Sequence, residues 1–113
     1  MARISYLELP AKDVAGTRDF YAKAFAWQFT DFAPHYAATT TGDTDLGING
    51  SDEQAIPLLL PIVEVDDLEA AFERVQGAGG AITVPIFAFP GGRRFHFRDP
   101  AGNELGVFVN EPE

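Results

Sequence analysis

Histidine and cysteine, which often act as metal ligands and catalytic groups, are scarce or missing in this 113-residue chain. It has two histidines, His35 and His96, and no cysteine, which excludes disulfides, thiolate nucleophiles and cysteine metal sites. Glu8 lies between Leu7 and Leu9, and a poorly hydrated carboxylate can serve as a general base. The sequence has no glycine-rich phosphate loop before a helix and no nucleophile elbow around a serine. Glu8 and His96 are therefore the candidate catalytic residues.

Each candidate also has a plainer interpretation. Glu8 could face water at the end of a strand, and His35 follows Pro34 in a predicted loop, which is typical of a surface histidine. His96 shares a strand face with Arg94 and Arg98. That trio could hold an anion, or its members could pair with nearby acids.

The apolar pattern predicts one order of elements that occurs twice. In the earlier half, a strand precedes a helix that opens at Asp13 and has apolar residues every three or four positions. In the later half, the second helix is predicted to be capped by Asp66, with Glu69 three residues on, and to end at glycines. The strands are predicted over 4–9, 27–32, 36–41, 45–49, 58–65, 81–86, 93–98 and 104–109.

This repetition predicts an α+β fold made of two βαβββ modules within a single domain, residues 1–113. Module one covers about residues 1–52 and module two about 56–110. A repeat of this length usually marks a unit that buries its apolar face against its twin. An ordinary α+β domain with similar turns is the alternative.

Three motifs, in order, resemble those of the vicinal oxygen chelate superfamily, which includes glyoxalase I, extradiol dioxygenases, fosfomycin-resistance enzymes and bleomycin-binding proteins. They are Phe20-Tyr21 with Phe25-Ala26-Trp27, Val65-Asp66-Asp67-Leu68, and Asp99-Pro100-Ala101-Gly102-Asn103. The resemblance implies a glyoxalase/bleomycin resistance-like fold, in which the two modules curl around a central cleft.

The resemblance also implies where a metal would bind in metal-dependent members. Those proteins take a ligand, usually His, from the first strand of each module and another, usually Glu, from the last strand. The matching residues here are Tyr6, Leu60, Gly106 and, through the internal repeat, Gly47. A divalent ion needs several nitrogen or oxygen donors at about 2 Å, and this set does not supply them. We therefore expect a metal-free protein with no cofactor.

Residues two apart on a strand share a face, so the neighbours of these four positions are predicted to line the cleft. Apolar residues there could equally fill the cleft as core. The predicted ligand-binding residues are Tyr6, Glu8, Gly47, Asn49, Leu60, Ile62, Gly106 and Phe108. Phe87 and Phe89, near Pro85 and Pro90, are expected in a loop over the cleft mouth or as anchors of that loop.

The net charge of −9 is unevenly distributed. Between Lys23 and Arg74 there are ten acidic residues and no Lys or Arg. Such a field repels nucleic acids and anionic membranes and attracts cationic partners. Solubility alone could also explain it.

These observations lead to three functional hypotheses. The first is a metal-independent protein of the glyoxalase and bleomycin-resistance type that binds a small, cationic or aromatic molecule. The second is a metal-free lyase or isomerase-like enzyme that uses Glu8 or His96 as acid or base. The third is a regulatory or subunit module with a vestigial cleft. A homodimer, a cytoplasmic location and no nucleic-acid or membrane partner are expected with all three.

Overall fold

The computed structural model describes residues 2–51 and 58–111, which form a strand, a helix and three strands, twice over. The α+β class and the repeated βαβββ order are therefore confirmed. The elements are β1 Arg3–Pro10, α1 Val14–Phe25, β2 Phe29–Ala33, β3 Tyr36–Thr39, β4 Asp45–Asn49, β5 Leu60–Val65, α2 Leu68–Gly77, β6 Ala81–Phe89, β7 Gly92–Arg98 and β8 Glu104–Asn110.

The chain divides into two compact units, and the first covers residues 6–60. Its strands lie in the order β2-β3-β4-β1, with β1 parallel to β4 and the other neighbours antiparallel. Val14 of α1 packs against Ala37 and Ile48, which are fully buried. This apolar contact fixes which face of β3 and β4 the helix covers.

The second unit comprises residues 1–5 and 61–113. Its strands lie in the order β5-β8-β7-β6, with β5 parallel to β8 and the other neighbours antiparallel. Leu68 of α2 joins Phe95, Val107 and Val109 in the buried cluster, and Phe72 meets the Phe95 ring edge-on at 5.0 Å. Alternation along β7 therefore turns Arg94 and His96 away from this core.

Aspartates begin both helices, as the sequence indicated, but one assignment was wrong. Asp13 accepts a hydrogen bond from the Gly16 amide at 2.9 Å. The second helix is capped by Asp67 and not by Asp66, because the side chain of Asp67 accepts from the Ala70 amide at 3.1 Å. Asp67 has the extended backbone that an N-cap requires, directly before the first helical residue.

The expectation that Phe87 and Phe89 lie in a loop was also wrong. Both belong to β6, where Phe87 pairs with Arg94 and Phe89 with Gly92. Pro85 lies at a shift in the register between Val84 and Phe87, and a strand can accept proline at such an irregularity. The strand therefore continues through a residue that usually marks its end.

Candidate functional site

A buried carboxylate is the centre of the polar residues of the first unit. Glu8 is 3% exposed and lies opposite Gly47 in the β1–β4 register. The hydroxyl of Tyr36 donates to its Oε2 at 3.1 Å, and Nδ2 of Asn49 donates to its Oε1 at 3.2 Å. Both carboxylate oxygens thus receive neutral hydrogen-bond donors. We term Tyr6, Glu8, Tyr36 and Asn49 the Glu8 network.

Two further hydrogen bonds hold this network in place. The hydroxyls of Tyr6 and Tyr36 are 3.0 Å apart, and Oδ1 of Asn49 accepts from the Ser51 amide at 2.8 Å. Burial raises the pKa of Tyr36 far above its ordinary value, and the charge of Glu8 and the neighbouring Tyr6 add to that effect. Tyr36 is therefore a neutral donor at any physiological pH.

Gly47 makes room for the two phenols. A Cβ atom built on Gly47 would collide with the Tyr36 hydroxyl and would come within 2.7 Å of the Tyr6 ring and hydroxyl. Gly47 stands at a position where the resemblance implies a ligand, usually Glu, in metal-dependent relatives, which leaves space beside its backbone. In the structure, the tyrosines occupy that space.

The residues at the expected metal positions do not fit a divalent ion. Tyr6 is engaged with another phenol, Leu60 is buried and has no donor, and Gly47 and Gly106 have no side chain. Within residues 2–51 and 58–111, no three His, Cys, Asp or Glu side chains are grouped so that they could hold a metal ion. No step of a mechanism can therefore be built on such an ion here.

The second unit has its own polar cluster around His96, which is 3% exposed. Nδ1 of His96 lies 3.6 Å from Oε2 of Glu104, and that oxygen accepts from the Thr83 hydroxyl at 2.9 Å. The other oxygen of Glu104 lies 3.6 Å from Arg98. We term Thr83, His96 and Glu104 the His96 group.

Aromatic rings cover the cation beside this group. The guanidinium carbon of Arg94 lies 5.3 Å from the centre of the Phe87 ring and 5.8 Å from that of Phe89. Phe89 also faces Phe108 at 6.5 Å. A buried arginine between two rings is held by cation–π attraction as well as by packing.

The predicted site residues fall into the two units. The first unit contains Tyr6, Glu8, Gly47, Asn49 and Leu60, of which the first four lie together around the Glu8 network. In the second unit, β5 and β8 place Ile62 opposite Gly106, and Phe108 lies two residues further on. His35 is exposed in the turn between β2 and β3, so it is a surface histidine.

The sequence interpretation missed Tyr36 and Thr83, although each donates to a central carboxylate. Alternation from Ala38 would place Tyr36 on the Gly47 face, but only the register that pairs Tyr36 with Asn49 brings it to Glu8. Thr83 reaches Glu104 over a sequence separation of 21 residues. No local pattern signals either contact.

The amino-acid sequence matches the family model of the Glyoxalase/Bleomycin resistance protein/Dioxygenase superfamily over residues 3–107. CFP32 of Mycobacterium bovis, which carries a provisional glyoxylase name, is 25% identical over 115 residues, covering 92% of this chain and 44% of its own length. The anthracycline biosynthesis protein DnrV of Streptomyces peucetius is 28% identical, with 92% of this chain and 46% of DnrV covered. The chain thus spans about half the length of the curated relatives it matches.

Solved structures share the fold. The Mn(II)-bound glyoxalase of Novosphingobium aromaticivorans superposes with a TM-score of 0.70 at 18% identity, covering 99% of this chain and 41% of that protein. At this identity the likeness supports the fold alone. The family model covers nearly the whole chain and agrees with the resemblance that the three motifs predicted. The chain belongs to the glyoxalase/bleomycin resistance protein/dioxygenase superfamily.

Proposed function

We propose that this chain is a metal-independent member of the superfamily that binds a small molecule at the Glu8 network. The observation that carries the proposal is the partly buried hydrogen-bond chain from Tyr6 through Tyr36 to Glu8. It places neutral phenols at and beside two of the positions matched to metal ligands in the relatives, Tyr6 and Gly47, with the carboxylate of Glu8 next to them. A superfamily member with such a network would bind its ligand through hydrogen bonds and charge.

The charge of the middle of the chain favours a cationic ligand. Glu8 is a buried carboxylate that accepts hydrogen bonds from Tyr36 and Asn49. Lys and Arg are absent between Lys23 and Arg74, while acids are frequent; two of those acids, Asp52 and Glu53, lie outside the described residues. Such a field attracts a positively charged ligand before the ligand reaches the site.

A thermal-shift screen tests this proposal directly. The probes are bleomycin, an anthracycline, simple aromatic amines and neutral aromatic compounds of similar size. Anthracyclines are included because DnrV is named for their biosynthesis. We expect cationic aromatic probes to raise Tm, since a ligand that binds only the folded state stabilises it by mass action. The increase in Tm caused by these probes should be the same after treatment of the protein with EDTA.

Matched variants locate the binding. Glu8→Gln keeps the shape of the side chain and removes its charge, and we expect it to weaken binding of a cationic probe by about tenfold or more, the effect of losing a charge-assisted hydrogen bond. The control is Glu73→Gln, the same chemical change at an exposed position of α2. Equal affinity of both variants would contradict a site at Glu8. If no probe stabilises the protein, the vestigial-cleft hypothesis is favoured.

A metal-free lyase or isomerase-like enzyme is the second candidate. It is favoured by the position of Glu8, whose oxygens are fixed by Tyr36 and Asn49 as those of a general base must be. In an enzyme, Glu8→Gln should abolish turnover of a carbonyl or epoxide substrate while affinity for the substrate survives. In a binding protein it is the affinity for a cation that falls.

The oligomeric state and the location complete the proposal. We propose a homodimer, which the exposed aromatic side chains of Phe20, Phe25 and Trp27 support. Light scattering after gel filtration would show twice the chain mass.

We also propose a cytoplasmic location, with which the absence of cysteine agrees. Neither helix in the described part of the chain is long and apolar enough to cross a membrane.

A further inference from the structure

We propose that the pair Asn49-Gly50 is a site of covalent modification that the fold keeps closed. When the first unit opens, Asn49 loses its amide nitrogen, and the product no longer supports Glu8. An asparagine before a glycine is prone to spontaneous deamidation, because the glycine leaves the next backbone nitrogen unhindered. The chain has three asparagines, and Asn49 is the one that precedes a glycine. The inference concerns the lifetime of the Glu8 network and does not depend on what the network binds.

The structure requires both members of this labile pair. Asn49 is 2% exposed, and its Nδ2 donates to Oε1 of Glu8 at 3.2 Å. A Cβ atom built on Gly50 would lie 2.7 Å from Cγ2 of Val14 and 2.9 Å from the backbone oxygen of Ala11. A larger residue at position 50 would therefore overpack the junction between β1 and α1. The amide supports a buried carboxylate and the glycine permits a close approach, so the fold retains a pair that is chemically unstable.

Hydrogen bonds hold the reacting atoms apart in the folded chain. Deamidation needs the backbone nitrogen of Gly50 to lose its proton and to reach Cγ of Asn49. That N–H donates to the backbone oxygen of His35 at 2.8 Å, and the backbone oxygen of Asn49 accepts from Ala11 at 3.0 Å. Oδ1 of Asn49 accepts from the Ser51 amide at 2.8 Å. The end of β4 is thus fixed at its backbone and its side chain, and the reaction must wait for an opening of the structure.

The reaction balances with water as its co-reactant. The Gly50 nitrogen gives up its proton and bonds to Cγ of Asn49. The Cγ–Nδ2 bond breaks, and ammonia leaves with the bonding electrons, so a five-membered succinimide ring remains. Water then opens the ring at either of its two carbonyl carbons. One product is aspartate, and the other is isoaspartate, whose main chain runs through the former side chain. Nothing is oxidised or reduced.

Both products disrupt the Glu8 network. Aspartate at position 49 presents an oxygen acceptor where Glu8 had an amide donor, and two carboxylates this close disfavour each other's charge. Isoaspartate adds a methylene group to the main chain of β4. That insertion disturbs the pairing of residue 49 with Pro10 on β1 and with Tyr36 on β3. A chain converted while open is therefore hindered in its return to the native fold.

Peptide mapping by mass spectrometry tests the proposal on the full wild-type chain, incubated at mildly alkaline pH with and without urea. We expect conversion of Asn49 in native buffer to be slower than in urea by about a hundredfold or more, because the closed state of a stable domain outweighs its open states by at least that ratio. Asn103 and Asn110 precede glutamates, so in urea they should convert more slowly than Asn49. Equal rates for Asn49 in the two solutions would overturn the proposal.

Refolding measures the consequence of the modification. Converted and unconverted chains from the same urea solution are separated by ion exchange and refolded side by side. We expect the converted chains to stay unfolded or to melt at a lower Tm. Asn49→Asp makes one product directly and should lower Tm by on the order of 5 °C or more, the effect of losing a buried hydrogen-bond donor. The control is Asn110→Asp, the same change at the exposed end of β8, which should alter Tm little.

Converted chains that refold with the Tm of unconverted chains would overturn the second half of the proposal. The comparison of rates uses the wild-type chain, so it decides the matter even if Asn49→Asp fails to fold. Neither measurement involves a ligand. Failure of the ligand screen would therefore leave this modification site standing, and failure here would leave the proposed binding function untouched.

Discussion

Glu8 is a carboxyl group inside the protein, and both of its oxygens accept hydrogen bonds. A carboxylate buried without partners would cost several kcal/mol or change its protonation. Tyr36 connects this carboxylate to Tyr6 by hydrogen bonds to both residues. The stability of the first unit should therefore be sensitive to a single oxygen atom on Tyr36.

Tyr36→Phe removes that oxygen and leaves the ring. We expect it to lower the free energy of unfolding by about 1–3 kcal/mol, because Glu8 loses a donor that water cannot easily replace. Urea denaturation measures the change. Tyr21→Phe is the control, since Tyr21 contacts its neighbours through its ring. If Tyr36→Phe lowered the free energy of unfolding no more than Tyr21→Phe does, the hydrogen bond from the Tyr36 hydroxyl to Glu8 would not stabilise the fold.

Gly47→Ala tests the close packing of the two phenols. The added methyl group would overlap the Tyr36 hydroxyl and crowd Tyr6, so we expect destabilisation of about 1–3 kcal/mol, as for other overpacked interiors. Gly77→Ala is a matched control at the last residue of α2, where a Cβ meets nothing within 4 Å. It should be neutral or slightly stabilising. Equal unfolding midpoints for both variants would contradict the observed packing.

At the scale of elements, two turns depend on one aspartate each. Asp45 accepts hydrogen bonds from Thr39, Thr41 and Gly42 in the β3–β4 connection. Burial alone would raise its pKa, but these hydrogen bonds outweigh burial and lower it. Asp99 accepts from Ala101 and Asn103 in the β7–β8 turn, and bonds from Asn103 above all lower its pKa. Each turn is thus stabilised by the ionised form of its aspartate.

Asp99→Asn should therefore change the dependence of stability on pH. Because the pKa of Asp99 is lower in the folded state than its ordinary 3.8, its charge stabilises the fold above that pH, and the gain is lost as the pH falls through the folded-state pKa. We expect a lower Tm than wild type at pH 7 and a smaller difference at pH 3. Scanning calorimetry at both values checks this, and a difference that stays constant with pH would contradict it.

The order of elements could be predicted because local rules decide it. Apolar spacing gave both helices, and the turn residues of Asp99-Pro100-Ala101-Gly102-Asn103 gave the last hairpin. The end of β6 could not be predicted, since Pro85 and Pro90 usually interrupt strands. The pairing of Phe87 with Arg94 prevails over that local preference. The prediction of the residue that caps α2 was wrong for a similar reason. Either of two adjacent aspartates can serve as an N-cap, and only the backbone conformation selects Asp67.

At the scale of the whole molecule, sequence reasoning found the candidate carboxylate Glu8 and its partner Asn49 but missed its partner Tyr36. Glu8 was visible as a charge in an apolar run, and its place near Gly47 and Asn49 followed from strand alternation. Its contact with Tyr36 depends on the order of β1, β4 and β3 in the sheet, which no local pattern contains. For the same reason the sequence did not reveal the contact of Thr83 with Glu104 in the second unit. In both units, the polar clusters are formed by residues that are far apart in the sequence.

Metal content of the chain purified without an affinity tag or added metal tests the central claim most directly. Elemental analysis by mass spectrometry should find far less than one Ni, Fe, Mn or Zn ion per chain, because Tyr6, Gly47, Leu60 and Gly106 offer no set of donors for such an ion. Ligand-induced shifts in Tm should then be the same with and without EDTA. One tightly bound ion per chain, lost together with ligand binding on chelation, would contradict the account.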